Sequence, residues 1–217
     1  MKSPIILSLQ IAGVTTLLSL IFGTMLARIV LNHKRTQTVC DIIATLPMVF
    51  PPTVTGFLLL KLLGKSSLIG QMIENVFRTQ IVFTFTGAAI ASFVVTFPLM
   101  YRTTLGAFQQ VDEELLYAGR TLGLSEVTIF FRILLPIAKN GIISGIVLTF
   151  TRALGEFGAT IIIAGNIPGK TQTLSIAIYQ AILQGNDRMA YQYAGIMIAI
   201  SISCLLVMNL LIRRSRQ

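Results

Sequence analysis

The 217-residue chain has no tryptophan, one histidine, two cysteines and eight acidic residues, and only 12% of it is charged. Each shortage removes a class of protein. A lone His33 in a basic stretch has no companion ligands, so no metal is expected. Cys40 falls near the start of one apolar run and Cys204 inside another, and both read as plain thiols. No Ser-His-Asp set, metal cluster or paired carboxylates can be assembled, which leaves no catalytic residues to nominate. With 54% hydrophobic residues and a mean hydropathy of +0.80, the chain has too little polar material to wrap a soluble core. No stretch is long and polar enough for a separate soluble domain, so residues 1–217 are expected to form a single membrane domain.

What is abundant is uninterrupted apolar sequence. A spanning helix needs about 20 apolar residues, because the hydrocarbon is roughly 30 Å thick and each residue rises about 1.5 Å. Five such runs occur: Ile5 to Leu31, Ile42 to Leu63, Ile81 to Tyr101, Gly141 to Ala164, and Tyr193 to Ile212. They are continuous instead of alternating in polarity, and a membrane segment must satisfy its own backbone. The fold class is therefore all-α, about five transmembrane helices in the lipid bilayer. The first run exceeds the core of about 7 to 15 residues of a signal peptide and reads as a retained anchor.

The net charge of +9 is distributed between the runs and is not interleaved with aromatics, which argues against nucleic acid. Arg28, Lys34, Arg35, Arg102, Arg120, Arg132, Lys139, Arg213, Arg214 and Arg216 fall in connections that share one side. Lys2, Lys61, Lys65, Arg78, Lys170 and Arg188 fall on the other, with Arg152 inside a run. The positive-inside tendency puts the larger group in the cytoplasm, hence the N-terminus outside and the C-terminus inside.

The connection from Arg102 to Lys139 carries helix signals. Asp112-Glu113-Glu114 offers an N-cap and an acidic first turn, and Gly123 can close the helix in a left-handed cap. Ser125 and Glu126 open a second helix, expected to stop where Pro136 interrupts the hydrogen bonding. In the fourth run Arg152 and Glu156 lie four apart, on one helix face, and each would cost about 2.5 to 3.5 kcal/mol facing lipid. They are expected to point inward. In the second run Pro47, Pro51 and Pro52 remove backbone donors, so a kink or unwound turn is expected, a candidate gate. Gly141 and Gly145 permit a close helix approach.

Tyr117-Ala118-Gly119-Arg120-Thr121-Leu122-Gly123, nine residues, then Ile133-Leu134-Leu135-Pro136 resembles the EAA loop of bacterial ABC-import permeases. Tyr117 stands at that pattern's Glu and Gly119 at its second Ala. The resemblance implies that Ala118, Gly119, Arg120, Thr121, Leu122, Gly123 and Leu124 form a coupling helix docking on an ATPase subunit. The competing reading is an amphipathic hairpin on the membrane surface. Phe150 to Thr160 (FTRALGEFGAT) resembles the signature of molybdate, tungstate and sulfate permeases, and Asn166 to Thr173 (NIPGKTQT) that of molybdate permeases. Leu46-Pro47 followed by Pro51-Pro52-Thr53-Val54-Thr55-Gly56 is similar to a stretch of the same group.

These resemblances imply a type I importer permease for molybdate, with sulfate or a motor-independent transporter as alternatives. They imply partners: a second copy of the chain, two ATP-binding-cassette subunits and an extracytoplasmic molybdate-binding protein. No cofactor is expected on this chain, ATP and Mg residing on the ATPase. Pro51, Pro52, Thr53, Thr55, Arg152 and Glu156 are pathway candidates. For the threonines, oxyanion donation competes with bonding back to their own helix. For Arg152, attraction of a passing anion competes with an internal ion pair with Glu156. Asn166 and Lys170 are candidate binding-protein contacts. Ala164 to Thr171 also satisfies a loose phosphate-loop pattern. The isoleucines before it complete an apolar run, and too little chain remains for a nucleotide-binding sheet.

Overall fold

The structure, a computed structural model, describes residues 3–32 and 34–214. Lys2, His33 and Arg216 lie outside the described residues, as do the side chains of Lys34, Arg35, Arg213 and Arg214. Among the described residues there is no strand. The helices are α1 (Pro4–Asn32), α2 (Lys34–Val49), α3 (Pro52–Leu63), α4 (Leu68–Phe77), α5 (Phe85–Gln109), α6 (Glu113–Thr121), α7 (Glu126–Ile129), α8 (Leu135–Leu154), α9 (Gly158–Ala164), α10 (Leu174–Leu183) and α11 (Asp187–Arg214). Among the described residues four spans are long and apolar enough to cross a membrane, and α2 with α3, bent by 107°, makes a fifth if the pair is counted as one broken span.

The core is built on α1 against α5. Gly23 lets α1 approach so closely that a Cβ there would lie 3.2 Å from Met100 Cγ and 3.3 Å from the Tyr101 amide. The Thr15 hydroxyl bonds to the Ala89 carbonyl at 3.3 Å. One buried cluster (Ala27, Val30, Tyr101, Leu105, Phe108, Leu116, Ile129, Leu134) lies at the α6 end. Another (Ile11, Leu59, Ala88, Ala91, Ala159, Ile163) holds α3 and α9 to α1 and α5. Gly141 and Gly145 do sit at a close crossing, facing Ala107 and Thr103 of α5.

Three expectations are corrected. The fourth apolar run is not one helix: α8 stops at Leu154 and α9 starts at Gly158, so Glu156 lies in the break and not on a helix face. Pro136 does not stop its helix. A wide π turn at Phe130–Leu134, with the Leu135 N–H reaching the Phe130 carbonyl, absorbs the donor that proline lacks and joins α7 to α8. The connection between the third and fourth spans is shorter than Arg102 to Lys139, because α5 continues to Gln109 and takes Arg102 with it, while Lys139 lies in α8.

Two helices occupy stretches without a long apolar run. α4 is capped by Ser67, whose hydroxyl accepts from the Gly70 N–H at 2.8 Å. α10 is capped by Thr173, and its Leu174 N–H donates to Ser8 of α1 at 2.7 Å, tying residues far apart in the chain.

Candidate coupling segment and pathway site

The α6 segment is assembled from local signals. The Asp112 carboxylate accepts the Glu114 N–H at 2.9 Å, and Glu113 and Glu114 complement the helix dipole. At the other end Gly123 has φ +76°. The Gly123 N–H reaches the Arg120 carbonyl at 2.9 Å and the Leu124 N–H the Gly119 carbonyl at 3.1 Å, the paired bonds of a Schellman cap. Ser125 then caps α7 by accepting the Thr128 N–H at 3.2 Å. Gly119 faces inward, where a Cβ would lie 3.1 Å from Ile133 Cδ1 and 3.2 Å from Ile129 Cγ1, a tight fit for anything larger. Tyr117, Ala118, Arg120, Thr121, Leu122 and Leu124 are exposed, Leu122 at 80% of its surface.

The segment is fastened by Glu126, which the sequence marks only as opening the second helix. Glu126 Oε1 receives Arg120 Nε at 2.6 Å, and its Oε2 receives Arg28 of α1 at 2.5 Å. Arg28 also lies over the Phe130 ring, 6.0 Å from its centroid. Glu126 thus joins α6, α7 and α1, and its carboxylate holds the Arg120 guanidinium above its ordinary pKa. Arg28 and Glu126 are 98 residues apart, so no local spacing could reveal the pair. The buried Tyr101 hydroxyl, likewise unforeseen, donates to Asp41 and links α5 to α2.

The pathway candidates gather where two broken spans meet. Pro51 and Pro52 have no N–H to continue α2, and the chain restarts as α3 with the Val54 N–H on the Pro51 carbonyl at 2.9 Å. In the other break Glu156, with 2% of its side chain exposed, accepts Arg152 Nη1 at 2.8 Å and the Ala159 N–H at 3.0 Å. One carboxylate therefore serves as both ion-pair partner and cap of α9. A Cβ on Gly158 would lie 2.9 Å from Pro52 Cβ and 3.4 Å from the Thr53 amide. The beginnings of α3 and α9 are therefore in contact. Thr53 is exposed, whereas Thr55 is buried with its hydroxyl unpaired among the described residues. The Arg152 side chain keeps 41% of its surface exposed.

Asn166 and Lys170 lie apart from this site, in the loop after α9. Asn166 commits its amide internally, donating to Gln180 and accepting from Gln172, both at 2.9 Å, while Lys170 is exposed. Ile161, Ile162 and Ile163 are helical, not the strand that a phosphate loop would follow.

The ion pair yields a directional prediction. Removing Arg152 strands a buried carboxylate, whereas Glu156→Gln removes the charge and leaves an exposed guanidinium. Arg152→Ala is expected to destabilise by about 1 to 3 kcal/mol, below a fully buried pair because solvent reaches Arg152, and by more than Glu156→Gln does. The double substitution should recover part of that loss. Melting midpoints of the three detergent-solubilised variants check the order.

A helical bundle of four or five spans, with broken helices meeting inside it and a short capped helix exposed at one end, defines a multi-pass membrane permease. The chain belongs to the family of binding-protein-dependent transport system inner membrane components, whose model matches residues 19–217. It is 39% identical over 215 residues to the molybdenum transport system permease protein ModB of Escherichia coli (strain K12), covering 98% of this chain and 94% of that one. It is 31% identical over 205 residues to the sulfate transport system permease protein CysT of Salmonella typhimurium (strain LT2), covering 94% and 74%. Its fold matches a chain of a bacterial alginate ABC transporter with a TM-score of 0.78 at 18% identity, covering 97% of this chain and 77% of that one. The protein is an ABC-importer permease of the ModB type.

Proposed function

We propose that this chain forms the membrane pathway of a molybdate importer, as a homodimer with the pore between its two copies. Two separate ATP-binding-cassette subunits drive it, and an extracytoplasmic molybdate-binding protein delivers the anion. The permease has no chemistry of its own: ATP and Mg stay on the ATPase. It sits in the cytoplasmic membrane of a bacterium or archaeon, with the N-terminus outside and the C-terminus and α6 in the cytoplasm, by the distribution of basic residues.

The observation that carries the coupling role is the exposure of Leu122, Tyr117 and Val127 at 80, 57 and 66% around a rigidly capped Gly123. Apolar side chains presented on a stiff support suit a cleft in a partner protein. Ala118 and Arg120 to Leu124 are the docking residues, Gly119 packing inward beneath them, and Glu126 carries their displacement to α1. On ATP binding the two motors close, draw the α6 segments together and open the pore outward. The breaks at Pro51, Pro52 and Thr53 and at Arg152 and Glu156 form the gate region. Glu156 is occupied by its structural bonds, so Arg152 is the group that meets the anion there; Thr55, buried, acts in packing. Lys170 contacts the binding protein, with Asn166 shaping its loop.

Identity of 39% to a molybdenum permease against 31% to a sulfate permease supports molybdate over sulfate. Tungstate, a tetrahedral dianion of nearly the same size, is expected to use the same route. The test is uptake of labelled molybdate and sulfate by cells lacking and regaining this chain. Restored molybdate uptake supports the proposal; restored sulfate uptake alone moves the assignment to the sulfate branch. Co-purification with the ATPase separates both from a motor-independent transporter.

A further inference from the structure

Between α5 and α8, next to the start of the connection to α6, lies a cavity of 460 Å³. Its polar lining consists of Arg102, Thr103, Gln110, Asn140 and Ser144, one cation and no carboxylate. Arg102 is exposed and makes no ion pair or hydrogen bond among the described residues. The Thr103 and Ser144 hydroxyls donate to carbonyls of their own helices, Leu99 and Asn140, at 2.8 and 2.9 Å. Recognition therefore falls to Arg102 and the two amides. The Asn140 Oδ1 is buried without a partner among the described residues. Donors and positive charge without an acid suit an anion.

The cavity is also placed on a route. Asn140, Ser144 and Thr151 share one face of α8, at steps of four and seven residues, and that face runs from the cavity toward the break beside Arg152. A tetrahedral dianion would fill only part of 460 Å³, leaving room for several waters at about 30 Å³ each. An anion that keeps much of its hydration is held weakly and leaves readily.

We propose that this cavity is a second oxyanion site, a release site at the cytoplasmic mouth in which Arg102 supplies the charge. The proposal rests on the molybdate-import reading for its direction and substrate. A membrane lipid's headgroup phosphate presents the same oxyanion chemistry, and the test tells the two sources apart.

The measurement is equilibrium binding of labelled molybdate to the whole permease–ATPase complex without the binding protein, in phosphatidylcholine nanodiscs. Arg102→Gln is expected to raise Kd by about tenfold or more, Arg102→Lys less, and Lys139→Gln, a neighbouring charge outside the lining, by less than about twofold. Native mass spectrometry in phosphatidylglycerol nanodiscs forms the second arm. Lipid retained by the unaltered complex but not by Arg102→Gln, with molybdate binding indifferent to Arg102, overturns the release role and names a lipid as the occupant. If neither molybdate binding nor lipid retention depends on Arg102, the site is overturned, while normal molybdate uptake by the same cells leaves the importer reading intact. If uptake proves specific for sulfate and sulfate binding depends on Arg102, the importer's substrate changes and the site stands.

Discussion

Replacing Gly123 by proline is expected to abolish molybdate uptake while the protein still accumulates in the membrane at its normal level. Proline holds φ near −65° and has no N–H, whereas Gly123 sits at φ +76° and donates to the Arg120 carbonyl at 2.9 Å. Both halves of the Schellman cap are lost, a cost of about 3 kcal/mol or more, and α6 is no longer aimed. The damage stays local, because Gly123 is exposed, a Cβ there meets nothing within 4 Å, and the neighbouring buried cluster is held by Leu116 and Ile129 and not by Gly123. Gly123→Asn is the control: asparagine tolerates the left-handed region far better than other residues with a Cβ, so most uptake should remain. Immunoblots of membranes and labelled uptake read the two effects separately. Normal uptake in Gly123→Pro would remove the docking role from this segment.

Gly56→Leu is expected to do the opposite kind of harm, lowering the amount of folded protein. A Cβ there would stand 2.8 Å from Ala159 Cα and 2.9 Å from its carbonyl oxygen, both backbone atoms of α9 that cannot swing aside. Overpacking of a core costs about 1 to 3 kcal/mol even where side chains yield, so a backbone clash belongs at or beyond the upper end. Gly158→Ala should act in the same direction against Pro52, more mildly. Gly13→Ala, with nothing within 4 Å, should be neutral or slightly stabilising. Melting midpoints in detergent rank the three. A Gly56→Leu protein as stable as the original would mean that α3 and α9 do not touch as described.

Where structure follows from neighbours in the chain, it was legible. Asp112, Ser125 and Gly123 are capping residues whatever surrounds them, and the apolar runs of α1, α5 and α11 declare their own spans. The proline break between α2 and α3 was readable for the same reason, since missing donors are a property of the residues themselves. The break at Gly155 was not. Hydropathy runs on through it, and what ends α8 there is a carboxylate turned to serve Arg152 and α9 together. Two glycines flanking Glu156-Phe157 were the available signal. The π turn hides similarly, since Pro136 reads as a stop unless the preceding turn widens. Contacts such as Arg28 with Glu126 and Asp41 with Tyr101 bridge distant stretches, and composition carries no trace of them.

The meeting of two interrupted spans has a mechanical meaning. An intact helix resists bending because its hydrogen bonds must stretch, but the ladder is already open at Pro51 and at Gly155. Segments on either side can tilt by backbone rotation with no helical ladder to stretch, and at the second break the Glu156 bonds to Arg152 and Ala159 are what resist it. In the proposed mechanism these two openings are the hinge, at the level where the pathway candidates collect, and α8 is the element through which force from the α6 end reaches them.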